Sequence, residues 1–151
     1  MLPAYPGLAR ACARPWKLAD AASVSRIGPR LRQTLETAIS NAVETGRVRQ
    51  QKQFLWAPDM LQPTLQDRSQ LPVGSKNIQL IAPEEIMLAI QKVVADAFGM
   101  SPEEVPATVA KLLGFGRLNE DIREQVELII ETMLQSGQLK NQEGLLVQIK
   151  E

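Results

Sequence analysis

Arg117–Val147, RLNEDIREQVELIIETMLQSGQLKNQEGLLV, decides the fold, because it holds a helix, a stop and a hairpin in one short run. Ile122, Val126, Ile129, Ile130, Met133 and Leu134 recur at steps of three and four, so one apolar stripe runs along an amphipathic helix. Asn119 stands where an N-cap is needed, and Glu120 and Asp121 suit the positive end of the helix dipole. Gly137 follows the last periodic residue and fits a left-handed C-terminal cap. Leu139 opens an extended stretch, Asn141 to Gly144 are turn residues, and Leu145 to Ile149 form a second strand.

The same pattern occurs earlier. Arg26–Trp56, RIGPRLRQTLETAISNAVETGRVRQQKQFLW, aligns with it without a gap. Leu31 meets Ile122, Leu35 meets Val126, Ile39 meets Ile130, Ala42 meets Met133, Gly46 meets Gly137, and Val48 meets Leu139. Phe54 and Leu55 meet Leu145 and Leu146, and further back Leu18 and Ala19 meet Val109 and Ala110. Self-similarity at this level predicts one supersecondary unit built twice.

The second copy has a front half. Pro83, Glu84 and Glu85 start a helix whose stripe is Ile86, Ala89, Ile90, Val93, Val94 and Ala97, and Gly99 ends it. Ser101, Pro102 and Glu104 predict the start of a second helix, with Val105, Val109, Leu112 and Leu113 apolar and Gly114 as its stop. Three helices and a hairpin, with a short step between the last two helices, read as a winged helix. The first copy is less complete. Its second helix would be Trp16 to Ala22 and its third Pro29 to Thr45, but Pro3, Pro6 and Gly7 leave no good first helix. The expected fold is therefore mainly α with small β-hairpins, an α+β chain of two winged-helix-like units of which the first is incomplete. The expected boundaries are an irregular start over 1–13, a partial unit over 14–57, an extended linker over 58–80 and a winged-helix domain over 81–151. Pro58, Pro63, Pro72 and Gly74 break the linker, and Ile78 to Ile81 reads as a short strand within it.

Composition bounds the function. The 151 residues suffice for one ordinary domain or two small ones, and no apolar run approaches the ~20 residues of a membrane span. The first sixteen residues lack the apolar core of a secretory signal. Cys12 is the single cysteine and has no internal disulfide partner, which fits a reducing, cytoplasmic compartment. With no histidine and one cysteine, neither zinc nor histidine-based acid–base chemistry is expected. No cofactor and no catalytic set is expected. Formal charge is zero, but it is unevenly divided. Eight cations face three anions between Arg14 and Gln53, whereas six face twelve between Pro83 and Glu151. Such a split points to a nucleic-acid surface on the basic half or to attraction between the halves.

The candidate nucleic-acid contacts are Arg26, Arg30, Arg32, Arg47, Arg49 and Lys52. Arg30 and Arg32, with Arg26 just before them, lie near the start of the third helix, the end that a helix-turn-helix presents to the major groove. Arg47, Arg49 and Lys52 fall on the hairpin, suited to phosphate contacts. An arginine-rich soluble surface is the competing reading, and the residues leave both open. The stripe Glu120, Asp121, Glu124, Glu127 and Glu131 reads as a solvated face, and it would repel phosphate. Leu71 to Lys76 partly matches a phosphate loop, but it lacks the first glycine and places serine before the lysine. Trp16 and Trp56 read as core or packing residues rather than base-stacking platforms.

Ile81-Ala82-Pro83-Glu84-Glu85-Ile86, Val109-Ala110-Lys111-Leu112-Leu113-Gly114-Phe115, Arg117, Ile122 and Gly137 together resemble a known family. It is the small domain of unknown function at the C-terminal end of large bacterial superfamily-one helicase-like proteins. Phe54-Leu55-Trp56 and Arg68 resemble what precedes that domain. The parents carry helicase ATPase segments and often a nuclease-like domain. This chain has none of those motifs, so no catalysis carries over. The resemblance implies a non-catalytic accessory module that binds or positions DNA through its basic first unit. The alternative is a protein-interaction module, for oligomerisation or domain docking. DNA, the remainder of a helicase-like parent and a second copy of the chain are the partners this admits, and a membrane is not among them.

Overall fold

In the computed structural model, the described residues are 28–51, 54–71 and 76–149. Arg26, Lys52, Cys12, Trp16, the helix expected over 16–22 and the irregular start lie outside them. The chain is α+β, and it divides into unit 1 (Met1–Thr64) and unit 2 (Leu65–Glu151).

The described part of unit 1 is helix α1 (Pro29–Glu44) followed by strands β1 (Arg49–Gln51) and β2 (Phe54–Trp56). Proline is favourable at the first helical position, where its missing N–H is not needed. Beyond the helix, Gly46 adopts φ +73°, and the Gly46 and Arg47 amides donate back to Val43 and Ala42. The strands are antiparallel, with Arg49 opposite Trp56 and Gln51 opposite Phe54.

Unit 2 contains α2 (Pro83–Asp96), α3 (Val105–Leu112), α4 (Glu120–Gln135), β3 (Leu139–Gln142) and β4 (Leu145–Gln148). Met100, between α2 and α3, exchanges both backbone hydrogen bonds with Leu146 and so adds one residue of a third strand to the hairpin. The core is the meeting of the three helical stripes: Ile86, Ile90 and Val94 from α2, Val105 and Val109 from α3, and Ile122, Val126 and Met133 from α4. Leu139 and Leu146 close it from the hairpin, almost fully buried. Burying one such side chain contributes about 1.5–3 kcal/mol, so this cluster is the main support of the unit.

The repeat is present in the backbone. Shifting every number in unit 1 by 91 carries Pro29–Glu44 onto Glu120–Gln135, end for end. It carries the pair Arg49–Trp56 onto Lys140–Val147 and Gln51–Phe54 onto Gln142–Leu145, which are observed pairs. Gly137, at φ +79°, repeats Gly46, and the Gly137 and Gln138 amides return to Leu134 and Met133 as their counterparts do.

Three expectations are corrected. Ile78–Leu80 is a single 3-10 turn, not a strand, because the Asn77 side chain accepts from the Gln79 amide at 2.9 Å and draws the chain into a turn. Helix α3 begins at Val105, not at Pro102. A helix from Pro102 would need an amide at position 106, where proline has none and its ring would meet the carbonyl of residue 102. Finally, 65–71 is part of unit 2, although the sequence reads it as linker.

That last segment is held by a buried ion pair. Arg68 Nη1 and Nη2 donate to Glu85 Oε1 and Oε2 at 2.8 and 2.7 Å, and both side chains are buried. The Gln66 amide also donates to Glu85 Oε1, and the Arg68 amide donates to the Leu113 carbonyl. Gly114, at φ +89°, lies so close that an added Cβ would stand 2.3 Å from the Arg68 and Ser69 amide nitrogens. The Ser69 amide donates to the Asp67 carboxylate and holds its pKa below the ordinary carboxylate value, with the Ser69 hydroxyl adding to the effect. Any stability this carboxylate supplies is therefore present above its ordinary pKa and lost as pH falls through the lowered one.

Candidate nucleic-acid interface

Helix α1 presents two faces. Ile39 is buried, and Leu31, Leu35 and Ala42 are half-buried on the same side. The opposite side is exposed, and an open recess there is lined by Arg30, Gln33, Thr34, Thr37, Ala38 and Asn41. Their steps of three and four residues place them along one stripe of the helix. The Thr34 hydroxyl is occupied by the Arg30 carbonyl.

Of the six residues expected to contact nucleic acid, four are described. Arg30 and Arg32 are exposed in the first turn of α1. Arg47 is exposed in the bend after Gly46. Arg49 opens β1, and its guanidinium sits 5.5 Å from the centre of the Trp56 ring and donates to the Met60 carbonyl. Arg49 is therefore anchored within its own unit, while Arg30, Arg32 and Arg47 extend into solvent. Arg26 and Lys52 lie outside the described residues.

The start of α1 is unusual in its electrostatics. Its N-cap is Gly28, which supplies no side-chain acceptor, and its first turn holds no acidic residue. The first helical amides and the dipole thus leave partial positive charge beside two arginines. In α4 the Asn119 side chain accepts from the Ile122 amide at 2.9 Å, and Glu120 and Asp121 neutralise the same end. The outward faces differ in the same sense. Arg30 and Gln33 correspond to Asp121 and Glu124, and Ser40 corresponds to Glu131. The anionic residues Glu120, Asp121, Glu124, Glu127 and Glu131 are all exposed. One helix end is suited to receive an anion and the other repels it.

Sequence reasoning singled out Arg30 but missed the polar stripe that continues from it through Gln33, Thr37 and Asn41. The available signal was their spacing opposite Leu31, Leu35 and Ile39. A second feature missed is Phe98, which is 94% exposed in a left-handed conformation at φ +56°, next to Gly99 at the end of α2. Among the described residues, no group of acidic or thiol side chains is placed to hold a metal ion, and no helix is long and apolar enough to cross a membrane. In comparisons with known proteins, no family model, no curated protein and no solved structure matches the chain.

Proposed function

We propose that the chain is a non-catalytic module of two winged-helix-like units that binds or positions DNA through unit 1, as an accessory part of a helicase-like protein. Unit 2 supports the winged-helix reading through its order of helix, single bridge, helix, helix and hairpin. Unit 1 supports it through the repeat of helix and hairpin at the same internal spacing. The observation that carries the DNA reading is the contrast in charge between two helices of equal length at matching positions of the repeat. Arg30, Arg32 and Arg47 would make phosphate contacts around the uncapped end of α1, and Arg26 and Lys52 extend the same basic run in the sequence. Affinity for DNA should fall steeply with salt, since each neutralised phosphate releases counterion. The test is the affinity of the whole chain for duplex, forked and single-stranded DNA. Absence of binding to all three at low salt would falsify the reading.

A second reading is favoured by Phe98. A fully exposed aromatic side chain held at positive φ costs on the order of 1–2 kcal/mol and exposes apolar surface, a combination suited to a protein contact. Here unit 2 is a protein-docking module, and a second copy or the parent protein is the partner. Reversing Arg30 and Arg32 to glutamate separates the two. It should abolish DNA affinity in the first reading and leave protein association through unit 2 in place in the second.

A further inference from the structure

We infer that Arg30, Gln33, Thr37 and Asn41 form a base-reading surface, and that the ligand of unit 1 is duplex DNA entered through its major groove. This rests on the DNA-binding reading above and adds what kind of nucleic acid is bound and which residues discriminate within it. The four side chains are exposed, and none has a hydrogen-bond or ion-pair partner among the described residues. From Arg30 to Asn41 the helix rises about 16 Å, the length of roughly five base pairs. A groove about 12 Å wide admits a helix in this way.

The residue types fit the edges they would meet. Arginine donates two hydrogen bonds to guanine O6 and N7, and glutamine and asparagine bind adenine N6 and N7 in a bidentate way. Threonine contacts the thymine methyl group or a polar edge. Charge complementarity names the occupant. Arg32 at the helix start and Arg47 beyond the far end of α1, both exposed, are the cations left to hold the phosphates flanking such a groove. Along the stripe itself, the first three turns of α1 hold no carboxylate. Glu36 lies on the flank beside Arg32, and Glu44 falls in the last turn, where a reading helix leaves the groove. The second copy acts as an internal control. At the same four positions α4 has Asp121, Glu124, Leu128 and Thr132, and its two carboxylates oppose approach to phosphate. Duplex RNA is disfavoured, since its major groove is too narrow for a helix.

The experiment presents the whole chain with a library of random-sequence duplex DNA and sequences what is retained, in parallel with Gln33→Ala and Asn41→Ala. Both positions are exposed and alanine favours helix, so the variants should fold, as circular dichroism will check. An enriched motif of about four to six base pairs is expected, with discrimination at one base pair reduced about five- to hundred-fold in each variant. Retention without an enriched motif, a motif unaffected by both substitutions, or equal competition by duplex RNA overturns the inference while leaving phosphate binding intact. Loss of all DNA binding removes both.

Discussion

The third helix and hairpin of unit 2 are packed on two further helices, whereas the same helix and hairpin in unit 1 have little of their apolar stripe covered by comparison. Ile122, Val126, Ile129, Ile130 and Met133 are all buried in α4, but at the matching positions of α1 only Ile39 is buried and Ala38 is exposed. The local geometry is nonetheless the same, down to the hairpin register and the glycine at each helix end. Helix and hairpin shape is therefore set locally, by capping, by the glycine and by strand pairing. Packing decides how much that shape is stabilised, and surface charge decides what it can meet. The difference in charge follows the same division. Unit 2 combines a side-chain-capped, acid-flanked helix start with an anionic face, and unit 1 combines a start without a side-chain cap with arginines.

The largest effect is expected where unit 2 has something that unit 1 lacks among its described residues, the buried ion pair. Glu85→Ala leaves the Arg68 guanidinium buried and uncompensated and should cost about 3–5 kcal/mol in urea unfolding followed by circular dichroism. A loss under about 1 kcal/mol would show that water reaches Arg68 and that the segment 65–71 is not held as described. Next comes the matched pair Ile122→Ala and Leu31→Ala. The first empties a fully packed site and should cost about 2–5 kcal/mol, and the second, at a half-covered site, less than half as much. Equal losses would mean that the two stripes are equally covered. The smallest effect tests sameness. Gly46→Ala and Gly137→Ala each place a Cβ in open space on a left-handed residue, so each should cost about 1–2 kcal/mol, and by similar amounts.

Much of this was legible in the sequence because it is local. The period of Ile122, Val126, Ile130 and Met133, the cap at Asn119 and the stop at Gly137 all act within a few residues. They gave α4 and its hairpin nearly to the residue, and the gapless match to 26–56 gave α1. What was not legible depends on distant groups. Arg68 and Glu85 are seventeen positions apart, and the prolines and glutamines around Arg68 resemble a linker until the pair is seen. The fate of Arg49 also depends on a tertiary contact, since its cross-strand neighbour Trp56 captures the guanidinium. The stripe of Gln33, Thr37 and Asn41 was visible as spacing, but uncharged polar residues on a helix surface carry no signal of use until the opposite face is known to be buried.

The most direct test sets the two helices against each other in the whole chain. Duplex DNA affinity would be measured from low to physiological salt for the wild type, for Arg30→Glu with Arg32→Glu, and for Glu120→Lys with Glu124→Lys. The expected result is steep salt dependence in the wild type, loss of binding when α1 is reversed, and equal or higher affinity when α4 is reversed. Unchanged affinity after reversal of α1, or loss of binding only after reversal of α4, would contradict the assignment of DNA to the basic copy.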